Sequence, residues 1–260
     1  MLKGRCALIT GSTQGLGHAL AERLAAEGCN IVLNGFGEQA VIEASRRKLE
    51  TRHGVRAIHH RADVADPAQI ADLVATAEKT FGGVDVLINN AVVRYFSPIE
   101  DFNPADWDRA LAVNLSSAFH TVRLALPGMR RRDFGRIVNI ASIYGLFATV
   151  NRVDYVTTKT ALIGFTRAIA LETARTNITC NAICPGTIPT PNIEVRLEAE
   201  RAKSGQSRAE AERAFLATRQ PSGKFVAPER VAALVALLCS ANGADITGSA
   251  IPIDGGWSAS

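Results

Sequence analysis

The chain has no run of about 18 consecutive apolar residues, the length a helix needs to cross a bilayer, so a helical membrane protein is excluded. It also lacks a dominant charge. The 29 Lys and Arg against 25 Asp and Glu leave a formal +4, too small and too scattered to argue for nucleic acid. The one tight basic run, Arg130-Arg131-Arg132, suits the C-terminus of a helix, where cations are favoured. Cysteine is scarce and odd in number: Cys6, Cys29, Cys180, Cys184 and Cys239, most of them in apolar stretches. Cys180 and Cys184 share an apparent strand and make no convincing metal pair, which points to buried free thiols in a reducing compartment and to no metal site. There are no internal repeats, low-complexity tracts or linkers, and Met1-Leu-Lys-Gly-Arg5 runs straight into an apolar strand with no signal peptide, so a soluble cytoplasmic protein is expected.

With 260 residues, 47% of them hydrophobic, the chain can bury a large core, and one domain over residues 1–260 is expected. Short β-type runs alternate with longer helical patterns. Strands are predicted at Arg5–Thr10, Asn30–Leu33, Arg56–Arg61, Val84–Asn89, Arg136–Ser142, Ile178–Cys184 and Ser249–Ile253. Helices are predicted over about 15–27, 39–52, 67–81, 104–131, 152–175 and 228–239. The rhythm implies an α/β fold, a doubly wound parallel sheet, with Pro252 confining the last strand to an edge. Between Pro185 and Pro221 the rhythm breaks into a strand-free, helix-prone insertion, about 187–220, in which Ser207-Arg-Ala-Glu210 resembles a capping box. An insertion there follows a strand's carboxyl end, where such sheets bind ligands, and is a candidate lid.

Tyr155-Val-Thr-Thr-Lys159 places a phenol and an ammonium one helical turn apart, with the Ser142 hydroxyl upstream. The lysine charge would lower the phenol pKa and suit Tyr155 to general acid–base work. After the first strand, Gly11, Gly15 and Gly17 in Thr10-Gly-Ser-Thr-Gln-Gly-Leu-Gly17 allow a tight turn and close backbone approach to a pyrophosphate, at a G-x-x-x-G-x-G spacing. Asp63-Val64 follows the third strand, where it suits an adenine, and Asn89-Asn90-Ala91 closes the fourth beside the cofactor crevice.

These residues, with Asn114, Pro185-Gly186 and Asp254-Gly255-Gly256, resemble in order and over the whole chain the short-chain dehydrogenase/reductase family. The resemblance implies a Rossmann-type sheet of strand order 3-2-1-4-5-6-7 and a homotetramer. It implies Tyr155 as catalytic acid/base, Ser142 bonded to the substrate oxygen, Lys159 on the nicotinamide ribose, and Asn114 holding a water of a proton relay. Around the dinucleotide it places Gly11, Thr13, Gly15, Leu16, Gly17, Phe36, Asp63, Val64, Asn90, Ala91, Pro185, Gly186 and Ile188, with Tyr155 and Lys159 at its nicotinamide end. One position departs: the family's Asn-Asn-Ala-Gly ends in Val92 here, which demands negative φ or strain. NAD is expected over NADP, because Ser12-Thr13-Gln14 and Asn34-Gly35-Phe36-Gly37 carry no cation for a 2′-phosphate, although the usual acidic residue of NAD enzymes is also missing.

Asn30–Gly37, Leu171–Ala174, Asn181–Gly186, Gln220-Pro221 and Asp254–Trp257 are similar to bacterial D-3-hydroxybutyrate dehydrogenases. Ser142, Tyr155 and Trp257 keep that subgroup's identity. Arg94, Tyr144, Arg152, Thr187 and Arg196 replace its Gln, His, Lys, Trp and Gln in the substrate pocket. The expected substrate is therefore a small anion gripped by arginine, an NAD-oxidised hydroxy acid resembling 3-hydroxybutyrate. Arg152 would share the reacting helix face with Tyr155. The Arg152–Arg196 pair also resembles the grip of hydroxyalkyl-sulfonate dehydrogenases, which keeps a hydroxy-sulfonate or a larger hydroxy acid as an alternative. Two others are a 3-oxoacyl thioester reductase and a non-catalytic dinucleotide-binding scaffold.

Overall fold

In a computed structural model describing residues 2–260, the chain forms a seven-stranded parallel sheet in the order β3-β2-β1-β4-β5-β6-β7, as expected. Met1, where the sequence reading begins the domain, lies outside the described residues. The strands are β1 (Cys6–Ile9), β2 (Asn30–Asn34), β3 (Ala57–His60), β4 (Val86–Asn89), β5 (Gly135–Ile140), β6 (Ile178–Pro185) and β7 (Ala250–Ile253). Their side chains alternate between two cores. Ala7, Ile9, Ile31, Leu33, Val86, Ile88, Val138 and Ile140 face a core completed by Leu20, Ala21 and Leu24, by Leu49, and by Val231, Val235 and Leu238. Those last residues belong to helices α1 (Gly15–Ala26), α2 (Gln39–His53) and α9 (Pro228–Cys239). Cys6, Leu8, Val32, Leu87 and Ile137 point the other way, onto Ile70, Leu73, Val122, Met129 and Ile169. Those come from α3 (Pro67–Phe81), α5 (Ser117–Arg131) and α6 (Val153–Thr173). A sheet covered on both faces is why these strands read as continuous apolar runs. Pro252 lies in β7, an edge strand, where its missing N–H removes no ladder bond on the open side.

The structure departs from the expected elements at three places that matter to the site. The helix expected over 104–131 is interrupted: α4 (Pro104–Leu111) passes into a π turn over Ala112–Ser116 before α5 resumes. An extra residue per turn does not change apolar periodicity enough to be read, and π turns of this kind cluster at functional positions. The fifth strand stops at Ile140, two residues short of the expected Ser142, which instead caps a short 3₁₀ turn by accepting from the Tyr144 N–H at 3.2 Å. The sixth long helix starts at Val153, and Arg152 precedes it with φ −141° and ψ 37°. Just before it, Asn151 is left-handed at φ +60°, a conformation Asn tolerates, and this turn carries Arg152 out of helical register.

The strand-free stretch contains α7 (Pro191–Ser204) and α8 (Arg208–Leu216). The capping box at Ser207 and Glu210 is formed in both directions. Arg130 and Arg131 occupy the last turn of α5 as expected, while Arg132 turns back to Asp85 at 3.0 Å. Val92 is accommodated without left-handed backbone, since the positive-φ residues other than glycine among those described are Asp133 and Asn151.

Candidate active site

Strand order reverses between β1 and β4, so the loops leaving their carboxyl ends diverge and open a crevice. The glycine turn lies on one side of it. Gly11 is left-handed at φ +62°, and a Cβ there would sit 2.8 Å from the Cα of Ala91. A Cβ on Gly17 would strike the Gly11 carbonyl and come within 2.7 Å of both Asn90 Nδ2 and Ser12 Cα. The turn and the start of α1 are therefore packed against the end of β4. Asn90 is the brace: its Nδ2 donates to the carbonyls of Thr10 and Gly11, each at 2.9 Å, and its own N–H donates to Thr10 Oγ1 at 2.9 Å. The first turn of α1 has no side-chain cap at Gln14, which leaves N–H groups and the positive end of the helix dipole facing the crevice. A pyrophosphate fits that cradle. Replacing Gly17 by Ala should weaken dinucleotide binding at least ~30-fold, from overpacking of about 2 kcal/mol or more in the turn; tryptophan-to-NADH energy transfer measures it, and unchanged affinity would contradict this use of the turn.

On the adenine side, Asn34 closes β2 and is fully engaged. Its Oδ1 accepts from the Gly11 N–H at 3.3 Å, and its Nδ2 donates to the carbonyls of His60 and Ala62 at 3.1 and 2.9 Å. This brace went unnoticed in the sequence, where Asn34 registers only as a missing acid. Phe36 is 52% exposed, its carbonyl accepting from the Thr13 hydroxyl at 2.9 Å. Asp63 is gripped by both terminal nitrogens of Arg109, at 2.9 and 3.1 Å. Burial works against its charge, but Arg109 and the Ala65 N–H hold the carboxyl below its usual range. Arg109 comes from α4, 46 residues away, with no local signal in the sequence. Val64 is buried in the core beneath. Leu16 and Ile188 pack on the opposite core. Pro185 pairs with Ile253, and Gly186 is enclosed by Gln220 and Asp254, where a Cβ would lie 2.7 and 2.9 Å from their atoms.

Tyr155 and Lys159 are both buried on α6. Lys159 Nζ donates to the Ile140 carbonyl at 2.7 Å and lies 5.7 Å from the centre of the Tyr155 ring. The turn carrying Ser142 and Tyr144 is pressed against this helix, and a Cβ on Gly145 would approach the Lys159 carbonyl to 2.8 Å. Tyr144 stands edge-on to Tyr155 at 6.5 Å and to Trp257 at 5.4 Å. Burial pushes the Tyr155 phenol up, but the charges of Arg94 and Lys159, the Ser142 hydroxyl and Arg152 outweigh it and leave the phenol below its ordinary value. Burial brings the Lys159 ammonium down to about 8. Asn114 does not offer its side chain to the cleft. In the π turn its Oδ1 accepts from the Val93 N–H at 2.8 Å and its Nδ2 donates to the Val93 carbonyl at 3.0 Å, tying the loop after β4 to the long helix.

The expected substrate residues divide. Arg152 is 8% exposed, its guanidinium carbon 4.1 Å from the Phe96 ring centre and 4.5 Å from that of Tyr155, and its Nε has no partner. Arg94 reaches within 5.5 Å of the Tyr155 ring centre. Neither forms an ion pair among the described residues. Thr187 is half-buried, its N–H donating to Gln220 Oε1. Arg196 is not brought to Tyr155: it is exposed and its guanidinium lies 5.4 Å from the centre of the Phe215 ring on α8. Arg219 stacks on the same ring at 5.3 Å and lines a cavity of about 370 Å³ with Tyr144, Phe147, Thr218 and Trp257. Of the arginines in the inserted segment, Arg201 and Arg208 are neutralised by Glu194, Glu198 and Glu212, a distinction invisible in composition. Phe96 and the buried Asp154 were also missed; only their proximity to Arg152 and Tyr155 in space and sequence marks them.

No group of three or more potential metal ligands occurs among the described residues. All five cysteines are free and buried, and burial pushes Cys180 up to about 12 and Cys184 up to about 11, so neither is a thiolate at neutral pH. No helix among the described residues is long and apolar enough to cross a membrane.

A family model described as short chain dehydrogenase matches residues 5–201. The chain is 45% identical to the D-beta-hydroxybutyrate dehydrogenase of Cupriavidus necator, covering 99% of both chains. It is 42% identical to that of Rhizobium meliloti, over 98% of this chain and 99% of the relative. Among solved structures, L-sorbose reductase from Gluconobacter frateurii, complexed with NADPH and L-sorbose, superposes with a TM-score of 0.92 at 32% identity, covering 98% of this chain and 97% of that one. A buried Tyr155–Lys159 pair at the carboxyl edge of a 3-2-1-4-5-6-7 sheet, a braced glycine turn and this degree of relatedness lead to one conclusion: the chain belongs to the short-chain dehydrogenase/reductase family, oxidoreductases that act on secondary alcohols.

Proposed function

We propose that the chain is an NAD-dependent dehydrogenase of small anionic hydroxy compounds, of which a 3-hydroxybutyrate-like hydroxy acid is the model. One observation carries this reading: two guanidiniums without carboxylate partners, Arg94 and the buried Arg152, flank the ring of Tyr155. Arg94 is exposed, whereas the buried Arg152 is costly unless something negative completes it, and a carboxylate meets a guanidinium in a two-bond fork. The kinship with D-beta-hydroxybutyrate dehydrogenases supports the same class. Stacking of Arg196 on Phe215 gives the hydroxy-sulfonate alternative less support than the sequence reading did.

NAD, when bound, supplies the hydride acceptor. Gly11, Gly15 and Gly17 would hold its pyrophosphate, Asp63 its adenine and Lys159 its nicotinamide ribose. Tyr155, as tyrosinate, would take the hydroxyl proton, and Ser142 would orient the substrate oxygen. The ammonium of Lys159 keeps the phenol acidic, and the backbone of the π turn at Asn114 would pass the proton outward through water. The α7–α8 insertion would close over the substrate, bringing the Arg219 wall of the 370 Å³ cavity toward Tyr144 and Trp257. Exposed Phe119 on α5 and Leu171 on α6 support burial of these helices between subunits of a homotetramer. Five free buried thiols support a cytoplasmic setting.

A screen by NADH fluorescence tests both substrate and cofactor. Short hydroxy acids, hydroxy-dicarboxylates and hydroxy-sulfonates are compared with neutral alcohols of the same carbon skeleton. We expect kcat/KM for the best anion to exceed that of its neutral match on the order of 100-fold, the worth of two charge-assisted contacts. With that substrate NAD should outperform NADP by a similar factor, because Asn34–Gly37 offers no cation and the Asn34 amide is already committed. Equal use of neutral alcohols would sink the substrate class, and a preference for NADP would sink the cofactor.

A further inference from the structure

The titratable groups around Tyr155 come from four elements. Arg152 and Lys159 lie at the start and second turn of α6, their charges 4.5 and 5.7 Å from the ring centre. Arg94 approaches from the loop after β4, at 5.5 Å. Tyr144, from the turn after β5, stands edge-on, and Cys184 of β6 is a neutral thiol, pushed up to about 11 by burial. Asp154, next in the chain, is fully buried. One of its oxygens accepts weakly from the Tyr95 N–H at 3.4 Å, and the other has no partner. Lys159 is held in place by the Ile140 carbonyl, whereas Arg152 is buried with its Nε unpartnered and Arg94 is exposed, and neither forms an ion pair among the described residues. The guanidiniums that neighbour the catalytic phenol are thus the same ones that the proposed anion would pair with.

We propose that the substrate's own negative charge adjusts the base that deprotonates it: by pairing with Arg94 and Arg152, the anion withdraws their field from Tyr155 and raises the proton affinity of its oxygen. The inference rests on the anionic-substrate reading above. In the cofactor-loaded enzyme without substrate, the guanidiniums hold Tyr155 toward tyrosinate, as the depressed phenol pKa with Arg94 foremost among the charges agrees. When the anion seats, part of that positive field is cancelled and the oxygen, already deprotonated, becomes a stronger base at the moment the hydroxyl proton must move to it. The substrate O–H bond breaks and the Tyr155 O–H bond forms; the pairing itself changes no other bond. A neutral alcohol leaves both guanidiniums free and meets the weaker base. Discrimination would therefore appear in the chemical step as well as in binding.

The chain has three tyrosines, Tyr95, Tyr144 and Tyr155, so tyrosinate absorbance of the NAD-loaded protein, less that of Tyr155→Phe, isolates one titration. The probes are butyrate and propane-1-sulfonate, anions that cannot be oxidised here, with butyramide as the neutral control; calorimetry records their binding. Saturation with either anion should raise the Tyr155 midpoint by about one pH unit, a shift suited to cancelling a charge some 5–6 Å away in a partly solvated site, and butyramide should leave it in place. In Arg94→Gln the midpoint without anion should start about one unit higher and the anion-induced rise should fall by half or more. Arg94→Lys should restore both, which a purely structural role would not. An anion that binds by calorimetry and leaves the midpoint unmoved overturns the coupling while leaving the substrate class intact. If neither anion binds, the coupling and the anionic reading both fall.

Discussion

Tyr155→Phe is expected to lower kcat for the preferred alcohol by ~10³-fold or more, at the upper end of what a positioned acid–base group supplies. The substitution removes one oxygen and leaves the ring that packs edge-on to Tyr144 and beneath Arg152. The fold and the cofactor crevice should persist, with NAD affinity within about threefold of wild type, since the glycine turn and its Asn90 brace do not touch the phenol. Stopped-flow turnover and NADH binding separate the two quantities. Residual activity above a few percent would show that another group carries the proton. Lys159 would be the first to test, its ammonium already brought down to about 8 by burial.

Arg152→Met is expected to act almost entirely on the substrate. Methionine keeps much of the apolar bulk between Phe96 and Tyr155 but cannot pair with an anion. KM for the anionic substrate should rise about 30- to 150-fold, equivalent to about 2–3 kcal/mol for a charge-assisted pair in a buried setting. For a neutral alcohol of the same skeleton, kcat/KM should change only a few-fold. Thermal stability should hold or improve. Arg152 is 8% exposed, its Nε lacks a partner, and burial lowers its pKa, so the folded protein bears a desolvation cost that methionine removes. A loss of stability together with equal losses toward both substrates would mean that Arg152 is a packing residue. Retained stability with a selective loss is the pattern of a residue kept for binding at the fold's expense.

Most of the architecture was legible because it rests on local patterns. Apolar runs gave strands within one or two residues, Pro228 followed by Glu229 marked the start of the last long helix, and the glycine turn announced the crevice. The catalytic phenol and ammonium were legible for the same reason: one helical turn separates them, and α6 delivers that spacing. Arg152 was legible as a residue but not by its route. It reaches the ring from a left-handed turn at Asn151 and not from helical register.

Other features were out of reach. The role of Asn114 depends on a π turn, whose extra residue leaves no mark in hydrophobic periodicity. Asp63 finds Arg109, and Asn34 finds Gly11, His60 and Ala62, across separations of more than 20 residues. Nothing in the chain ranks Arg219 above Arg196 until internal ion pairs and the Phe215 ring assign each arginine a neighbour. The sequence by itself determined the order of strands and helices, the dinucleotide turn and the reacting pair, because each is written in spacings of two to eight residues that backbone geometry converts directly into position. Only the tertiary structure decided which cations are spent on carboxylates and which two stand open beside Tyr155, because charge pairing is settled by distance in space between segments that the chain keeps far apart.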